Sequence, residues 1–398
     1  MKNKRLNHPI LFFFLKLIAR PLAYFKWGYR YKSKYKIKKD EKVVIVSNHV
    51  TDFDPILIHL SLNKLVHCLA TDNIFAGRLY AKLLSYIGVI PKRKGMVDLK
   101  SNMAMLQAIN RGDSLLFFPE GNRSYADFQF NIADNIGRLF KTFKANIIIF
   151  NFYGGFGKFP RIGSKSRKGK FYGGIKRVIP YEEYKDMPDE ELSKIVIDGV
   201  RVIDSESPAK YQSKKRAEYF ERLFFVCPKC GHVSSIYSEG NYIKCHDCDL
   251  KVEYGEDLFL HSDDPSFKFK RMKEWYQYQR DFVKEHDFSQ DDVIFKDENV
   301  RLSLSNPFQK RIDINRHSSM TLTNTELIFD NRKFDLKDIK IASPVSGRKL
   351  CFTIDDNNFV VRGGKRFNAI KYVFLFNKLD TKMRNEHVDS YFLLEGEL

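Results

Sequence analysis

His49 and Asp54 lie five residues apart in the run Asn48-His49-Val50-Thr51-Asp52-Phe53-Asp54, directly after the apolar stretch Lys42–Val46. A histidine at a strand end and an aspartate five residues on can face each other across a tight turn. A carboxylate on one imidazole nitrogen fixes the tautomer and leaves the other nitrogen free to take a proton. His49 is thereby a candidate general base, able to activate an alcohol for attack on a thioester. Asp52 is a rival orienter that spacing does not exclude. The same residues also suit a hydrogen-bonded turn histidine beside a helix-capping aspartate, and H-x4-D pairs arise often by chance.

Three further groups stand at comparable places. Phe118-Pro119-Glu120-Gly121-Asn122-Arg123-Ser124 follows the apolar run that begins at Leu115. Pro119 and Gly121 force a turn where α/β sheets hold their ligands, at the C-terminal end of a strand. Glu120, Asn122 and Arg123 are then expected to project into the crevice of His49, where a carboxylate can hold a glycerol hydroxyl and a guanidinium a phosphate. Gly88-Val89-Ile90-Pro91-Lys92-Arg93-Lys94-Gly95 sets three consecutive cations beside glycines, which suits a phosphate or, equally, a solvated loop. Gly154-Gly155-Phe156-Gly157 with Pro160-Arg161 follows the run Asn146–Phe152.

The elements that must position these groups are legible as alternating runs. Lys42–Val46, Leu115–Phe118 and Asn146–Phe152 read as buried strands. Asp54-Pro55 reads as a helix N-cap with proline at the first helical position. Asp98 is expected to open a helix with Leu99, Met103 and Leu106 on one face, stopped by Gly112. Tyr181–Tyr219 is expected to be helical, and Asp264-Pro265 to open a helix containing Met272, Trp275, Tyr278, Gln279 and Phe282. Strands alternating with helices predict an α/β layer structure. From residue 295 the period changes to short alternating runs between Asn/Asp/Gly turns, as in an antiparallel β domain, with a closing helix over Ala369–Lys378.

Four of the six cysteines form two C-x-x-C pairs, Cys227/Cys230 and Cys245/Cys248, separated by fourteen residues. Four thiolates satisfy tetrahedral zinc, and a closed site of this kind leaves no position for catalysis. A structural Zn2+ is expected there, folding a segment too short to bury its own core, with His232 and His246 as bystanders. The chain carries a net charge of +19, and residues 1–40 hold twelve Lys/Arg against the single acid Asp40, interleaved with aromatics. The longest apolar run there, Ile10–Leu15, is far short of a membrane span of about 20 residues. The segment is expected to lie on an anionic membrane surface. No secretory cleavage pattern precedes the cysteines, so a reducing compartment is expected, with the protein peripheral on the cytoplasmic membrane face.

The order NHVTDFD, GVIPKRK, FPEGNRS and then a strand leading into a Gly/Pro element resembles the glycerolipid acyltransferases, over residues 30–180. These include the acyltransferases that convert lysophosphatidic acid to phosphatidic acid. The resemblance implies His49 as base with Asp54 as its partner, Glu120 and Gly121 helping to bind the glycerol acceptor, and a cation of the second motif on its phosphate. The family's second motif usually sets its arginine six residues after the glycine. Here Lys94 holds that place and Arg93 stands one residue early. The Gly-Gly…Pro-Arg element departs from the common Val-Pro form and is more similar to a bacterial subgroup with a C-terminal zinc ribbon.

The expected layout is a basic membrane-contact segment (1–40), an α/β acyltransferase domain with a mixed sheet flanked by helices (41–225), a zinc ribbon (226–255), a helical linker (256–294), and a mostly antiparallel β domain (295–398) that looks pleckstrin-homology-like. The expected partners are acyl-CoA or acyl carrier protein as donor and a lysophospholipid acceptor. The competing reading is a basic zinc-ribbon module binding nucleic acid or anionic lipid without catalysis. Against nucleic acid, the cations concentrate in the aromatic N-terminus rather than around the ribbon.

Overall fold

The computed structural model describes residues 9–384, except 34, 39, 63, 76–77, 93–98, 130–131, 290–291, 307–308, 346–347 and 356. Its first sheet has strands β1 (Tyr29–Tyr31), β2 (Val43–Ser47), β3 (His67–Thr71), β4 (Val89–Lys92), β5 (Leu115–Phe117), β6 (Asn146–Tyr153) and β7 (Phe171–Ile179). They lie in the order β1-β7-β6-β2-β5-β3-β4. Only β6 and β7 pair antiparallel, so the sheet is mixed as expected.

β2 is central, and all five of its residues are buried. Alternate side chains of a strand point to opposite faces. Val44, Val46, Ile147 and Ile149 accordingly join one core, with residues of the helices over Ile136–Phe143 and Asp189–Val200. Val43, Ile45, Ile148 and Phe150 join the other, with Leu57 and Ile58 of a helix over Asp54–Ser61. Because β2, β4, β5 and β6 run parallel, all four motifs leave the sheet at the same end. β4 lies three strands from β2, roughly 14 Å at ordinary strand spacing.

The N-terminal helix Pro9–Phe25 docks through its cations. Its cations Lys16 and Arg20 turn inward, donating to the carbonyls of Leu62 (2.8 Å) and Leu60 (3.0 Å) at the C-terminal end of the helix over Asp54–Ser61, where cations are favoured. Phe13, Phe14, Leu17, Ile18 and Phe25 are left exposed. Among the described residues no helix is long and apolar enough to cross a membrane.

Of three expected helices, two need correction. Asp98 lies outside the described residues, and the helix over Leu99–Asn110 buries Met105, Ala108 and Ile109 while Leu99 and Met103 are exposed. Tyr181–Tyr219 is helical only over Tyr181–Tyr184 and Asp189–Val200, apart from a three-residue 3-10 turn at Asp204–Glu206. The helix expected from Asp264-Pro265 starts at Met272 and runs to Glu285.

The cysteine region is a small antiparallel sheet of β8 (Ile236–Glu239), β9 (Tyr242–Cys245), β10 (Lys251–Tyr254) and β11 (Leu260–His261). The C-terminal region is an antiparallel sheet of β12 (Phe295–Leu304), β13 (Ile312–Leu322), β14 (Glu326–Phe329), β15 (Arg332–Asp335), β16 (Ile339–Pro344), β17 (Lys349–Ile354) and β18 (Asn357–Arg362), closed by a helix over Ala369–Arg384. One apolar cluster runs from Tyr125 and Phe128 through Phe224 and Trp275 to Phe374 and Leu379, joining both regions to the first.

Candidate active site

At the C-terminal end of β2, Asn48 anchors the turn to β6: its side-chain amide donates to the Phe152 carbonyl (2.9 Å) and accepts from the Phe152 N–H (2.8 Å). The next residue, His49, donates from Nδ1 to Asp54 Oδ2 at 2.8 Å. Asp54 is fully buried and does not cap its helix through its side chain, since Phe53 occupies the cap position. The carboxylate instead turns back and accepts from the N–H groups of Val50 (2.7 Å) and Thr51 (2.9 Å) and from the Thr51 hydroxyl. Four donors on one buried carboxylate fix its position, and it in turn fixes the imidazole. The Phe118 ring stacks on His49 with centroids 4.3 Å apart. His49 Nε2 has no hydrogen-bond partner among the described residues, and the side chain is 22% exposed. The geometry is that of an oriented base open to an approaching hydroxyl.

Asp52, the rival orienter, is 81% exposed and pairs with Arg123 instead. Arg123 donates from Nε to the Val50 carbonyl (2.6 Å), from Nη2 to the Phe159 carbonyl (2.7 Å) and from Nη1 to Asp52 (3.0 Å). The guanidinium thus clamps the first motif to the fourth, with most of its donors committed within the protein. Glu120 is 8% exposed, with Oε1 accepting from the His49 N–H at 3.4 Å. Ser124 donates from its N–H (2.7 Å) and its hydroxyl (3.1 Å) to the His49 carbonyl, locking the two loops together. Gly121 takes a left-handed φ of +62° to make the turn, and its N–H closes on the Phe118 carbonyl at 3.0 Å. That N–H is therefore committed to the turn. Asn122 sits beside it on the same loop and is partly buried. Arg93 and Lys94 lie outside the described residues; the strand before them in sequence, β4, ends at Lys92 and lies on the sheet edge.

The fourth motif approaches closely: a Cβ at Gly155 would lie 2.2 Å from Val50 Cγ2, so only glycine fits there. Two carboxylates that sequence reasoning missed hold this motif. Asp204 accepts from the N–H groups of Gly154 (2.7 Å) and Gly157 (2.9 Å). Asp127, just beyond FPEGNRS, accepts from the N–H groups of Asp204 (2.7 Å) and Ser205 (2.9 Å). No sequence signal links residues 77 positions apart in an irregular segment.

Burial first, and then the neighbouring Asp127, push the Asp204 carboxyl up to about 7, against the pull of the backbone N–H groups. An unfolded aspartate titrates at about 3.9. Between about pH 4 and pH 7 the native state holds a proton that the unfolded chain has lost, so this group's contribution to stability falls as pH rises through that window and is level above it. Asp204→Asn cannot titrate. In urea melts across that range, the stability of the wild type relative to D204N is expected to decline with rising pH. A difference that grows with pH would sink this assignment.

The four cysteines converge. Cys227 and Cys248 sulfurs are 3.6 Å apart and those of Cys230 and Cys245 are 3.8 Å apart, with all four within 4.8 Å of one another. Tetrahedral zinc with Zn–S near 2.3 Å needs sulfurs about 3.8 Å apart, so the cluster can hold a metal ion. His232 pairs with Asp247 (3.0 Å) and His246 stacks on Tyr237 (4.1 Å), both outside the four-sulfur group.

No curated protein matches the chain. Among solved structures, it is similar to the 1-acyl-sn-glycerophosphate (LPA) acyltransferase PlsC from Thermotoga maritima. The identity is 15% and the TM-score 0.40, covering 48% of this chain and 78% of that one. Residues 29–158 match the family described as Acyltransferase, and this stretch contains His49, Asp54, Glu120 and Arg123. The sheet end that carries the oriented histidine thus lies within the stretch that matches the acyltransferase family.

Proposed function

We propose that the chain moves a fatty acyl group from acyl-CoA or an acyl carrier protein to the hydroxyl of lysophosphatidic acid or a related glycerol phospholipid. The carrying observation is His49, oriented by a buried Asp54 with Nε2 left over. Nε2 takes the proton of the acceptor hydroxyl as its oxygen attacks the thioester carbonyl; collapse expels the thiolate, which recovers the proton from the imidazolium. Asp54 stabilises that imidazolium without leaving its four donors. Glu120, Gly121 and Asn122 form the wall on which the glycerol acceptor rests. Arg123 shapes that wall by clamping its loops, and Arg93 or Lys94 supplies the phosphate-binding cation.

The acceptor is reached at a membrane surface. The exposed Phe13, Phe14, Leu17, Ile18 and Phe25 support this, since together they present apolar surface beside a strongly basic chain. The metal at the four cysteines is structural zinc, a reading supported by the sulfur spacing. The strand order β15-β14-β13-β12-β18-β17-β16 followed by a closing helix supports a pleckstrin-homology-like C-terminal domain.

The test is an assay of the full chain with labelled acyl-CoA and acyl carrier protein against phosphorylated and unphosphorylated glycerol acceptors in vesicles. Transfer is expected with the phosphorylated acceptors. Labelled product from none of them, with either donor, would refute the reading.

A further inference from the structure

Behind the fourth motif the chain forms an open cleft of about 400 Å³ where three distant segments meet. Ser164 and Lys165 come from the loop after Pro160-Arg161, Lys215 and Arg222 from the segment leading to the cysteines, and Arg348 and Lys365 from the loops flanking β17 and β18. Five of these six residues are cationic, and no carboxylate lines the cleft. The nearby acid Glu221 is already bound to Arg366 at 2.6 Å. Among the described residues none of the five cations forms a salt bridge.

Arg222 forms the floor. It donates to the carbonyls of Ile162 (3.0 Å) and Lys365 (2.8 Å), which places its charge without neutralising it. Burial, with the like charges of Arg348 and Arg366 adding to it, lowers its pKa to about 10 despite the opposing Glu221 and Tyr219. In the wall, the Ser164 hydroxyl is buried with no hydrogen-bond partner. A concentration of like charge at a packed junction is unfavourable in itself and favourable once a multivalent anion enters. Guanidinium, ammonium and hydroxyl donors together suit phosphate oxygens.

We propose that this cleft is a second anion site, distinct from that of His49, which takes a phosphate-bearing ligand of at least two negative charges. The ligand fastens the β-rich region to the acyltransferase domain. Two sources share this chemistry: the phosphates of a soluble nucleotide-type ligand and the headgroup of an anionic lipid. The assignment stands whether or not the acyl-transfer reading does, because it uses none of the same side chains.

The experiment titrates the full chain with inorganic pyrophosphate by calorimetry, against chloride at matched ionic strength, and compares R348Q/K365Q. A second pair, K165Q/K215Q, guards against a folding defect in the first, and melting curves without ligand check both. Pyrophosphate is expected to bind the wild type, and either pair to weaken it at least about tenfold, as loss of charge-assisted bonds to phosphate requires. Vesicles of phosphatidylcholine with phosphatidic acid separate the sources. Vesicle binding that falls in the variants assigns a lipid headgroup, and vesicle binding that is unchanged assigns a soluble phosphate. Equal pyrophosphate affinity in the wild type and both folded variants, or no response beyond that to chloride, overturns the proposal.

Discussion

His49→Ala is expected to lower kcat for acyl transfer by about 10²–10⁴-fold, the usual contribution of a positioned general base, while KM and the melting temperature stay close to those of the wild type. The reason lies in how the site is built. The imidazole is 22% exposed, so its removal opens no sealed cavity. Asp54 keeps three of its four donors, the N–H groups of Val50 and Thr51 and the Thr51 hydroxyl, so no buried carboxylate is stranded. The acceptor wall is locked through the His49 backbone, whose carbonyl still receives both Ser124 bonds after the substitution. A change confined to kcat marks an interaction made in the transition state. Asp54→Asn is a poorer probe, because it turns a carboxamide donor toward groups that are themselves donors and costs stability of about 1–3 kcal/mol as well as activity. Full-rate transfer by folded H49A would remove His49 from the mechanism.

The residues that were legible are those whose partners are near in sequence or whose burial is uniform. β2, β5 and β6 announce themselves as mostly apolar runs because they are largely buried on both faces. β4 does not, since Pro91 weakens its signal, and it lies on the sheet edge, where proline is tolerated. β1, with three residues, and β7, with two adjacent glycines, are equally faint. The Asp-Pro signal correctly placed a helix start but misled about Asp54, because the carboxylate had a stronger set of donors behind it than the helix offered ahead. Arg123 illustrates the converse limit. Its chemistry suggested a phosphate ligand, but two carbonyls brought up by separate loops and the Asp52 carboxylate hold three of its five N–H donors. Periodicity put Leu99, Met103 and Leu106 on one helix face, yet apolar spacing does not say which stripe meets the sheet.

Removing metal from the four-cysteine cluster, by chelation or by Cys245→Ser, is expected to lower the melting temperature by several degrees and shift tryptophan emission to the red. Without an ion, four thiols held within 4.8 Å of one another lose the bonds that draw them together, and in small domains such sites supply much of the folding free energy. The effect should not stay local. Cys227 and Cys245 belong to the same apolar cluster as Phe224 and Trp275, whose rings stack at 4.3 Å. Trp275 also donates from its indole N–H to the Val226 carbonyl at 3.1 Å, one residue from the first ligand. Gln279, one turn further along the same helix, donates to the Leu223 carbonyl (2.9 Å) and accepts from the Phe225 N–H (3.1 Å). Loosening the cluster therefore exposes a tryptophan that is now fully buried, one of only two in the chain. Metal content of about one ion per chain by elemental analysis should fall in parallel. The pattern is the mirror of His49→Ala: stability lost first, with kcat of the still-folded fraction near that of the wild type, because none of the four clustered cysteines belongs to the apolar cores that flank β2. A metal-free protein with unaltered melting and emission would show that the cluster folds without an ion and that the sulfur spacing alone misidentified it.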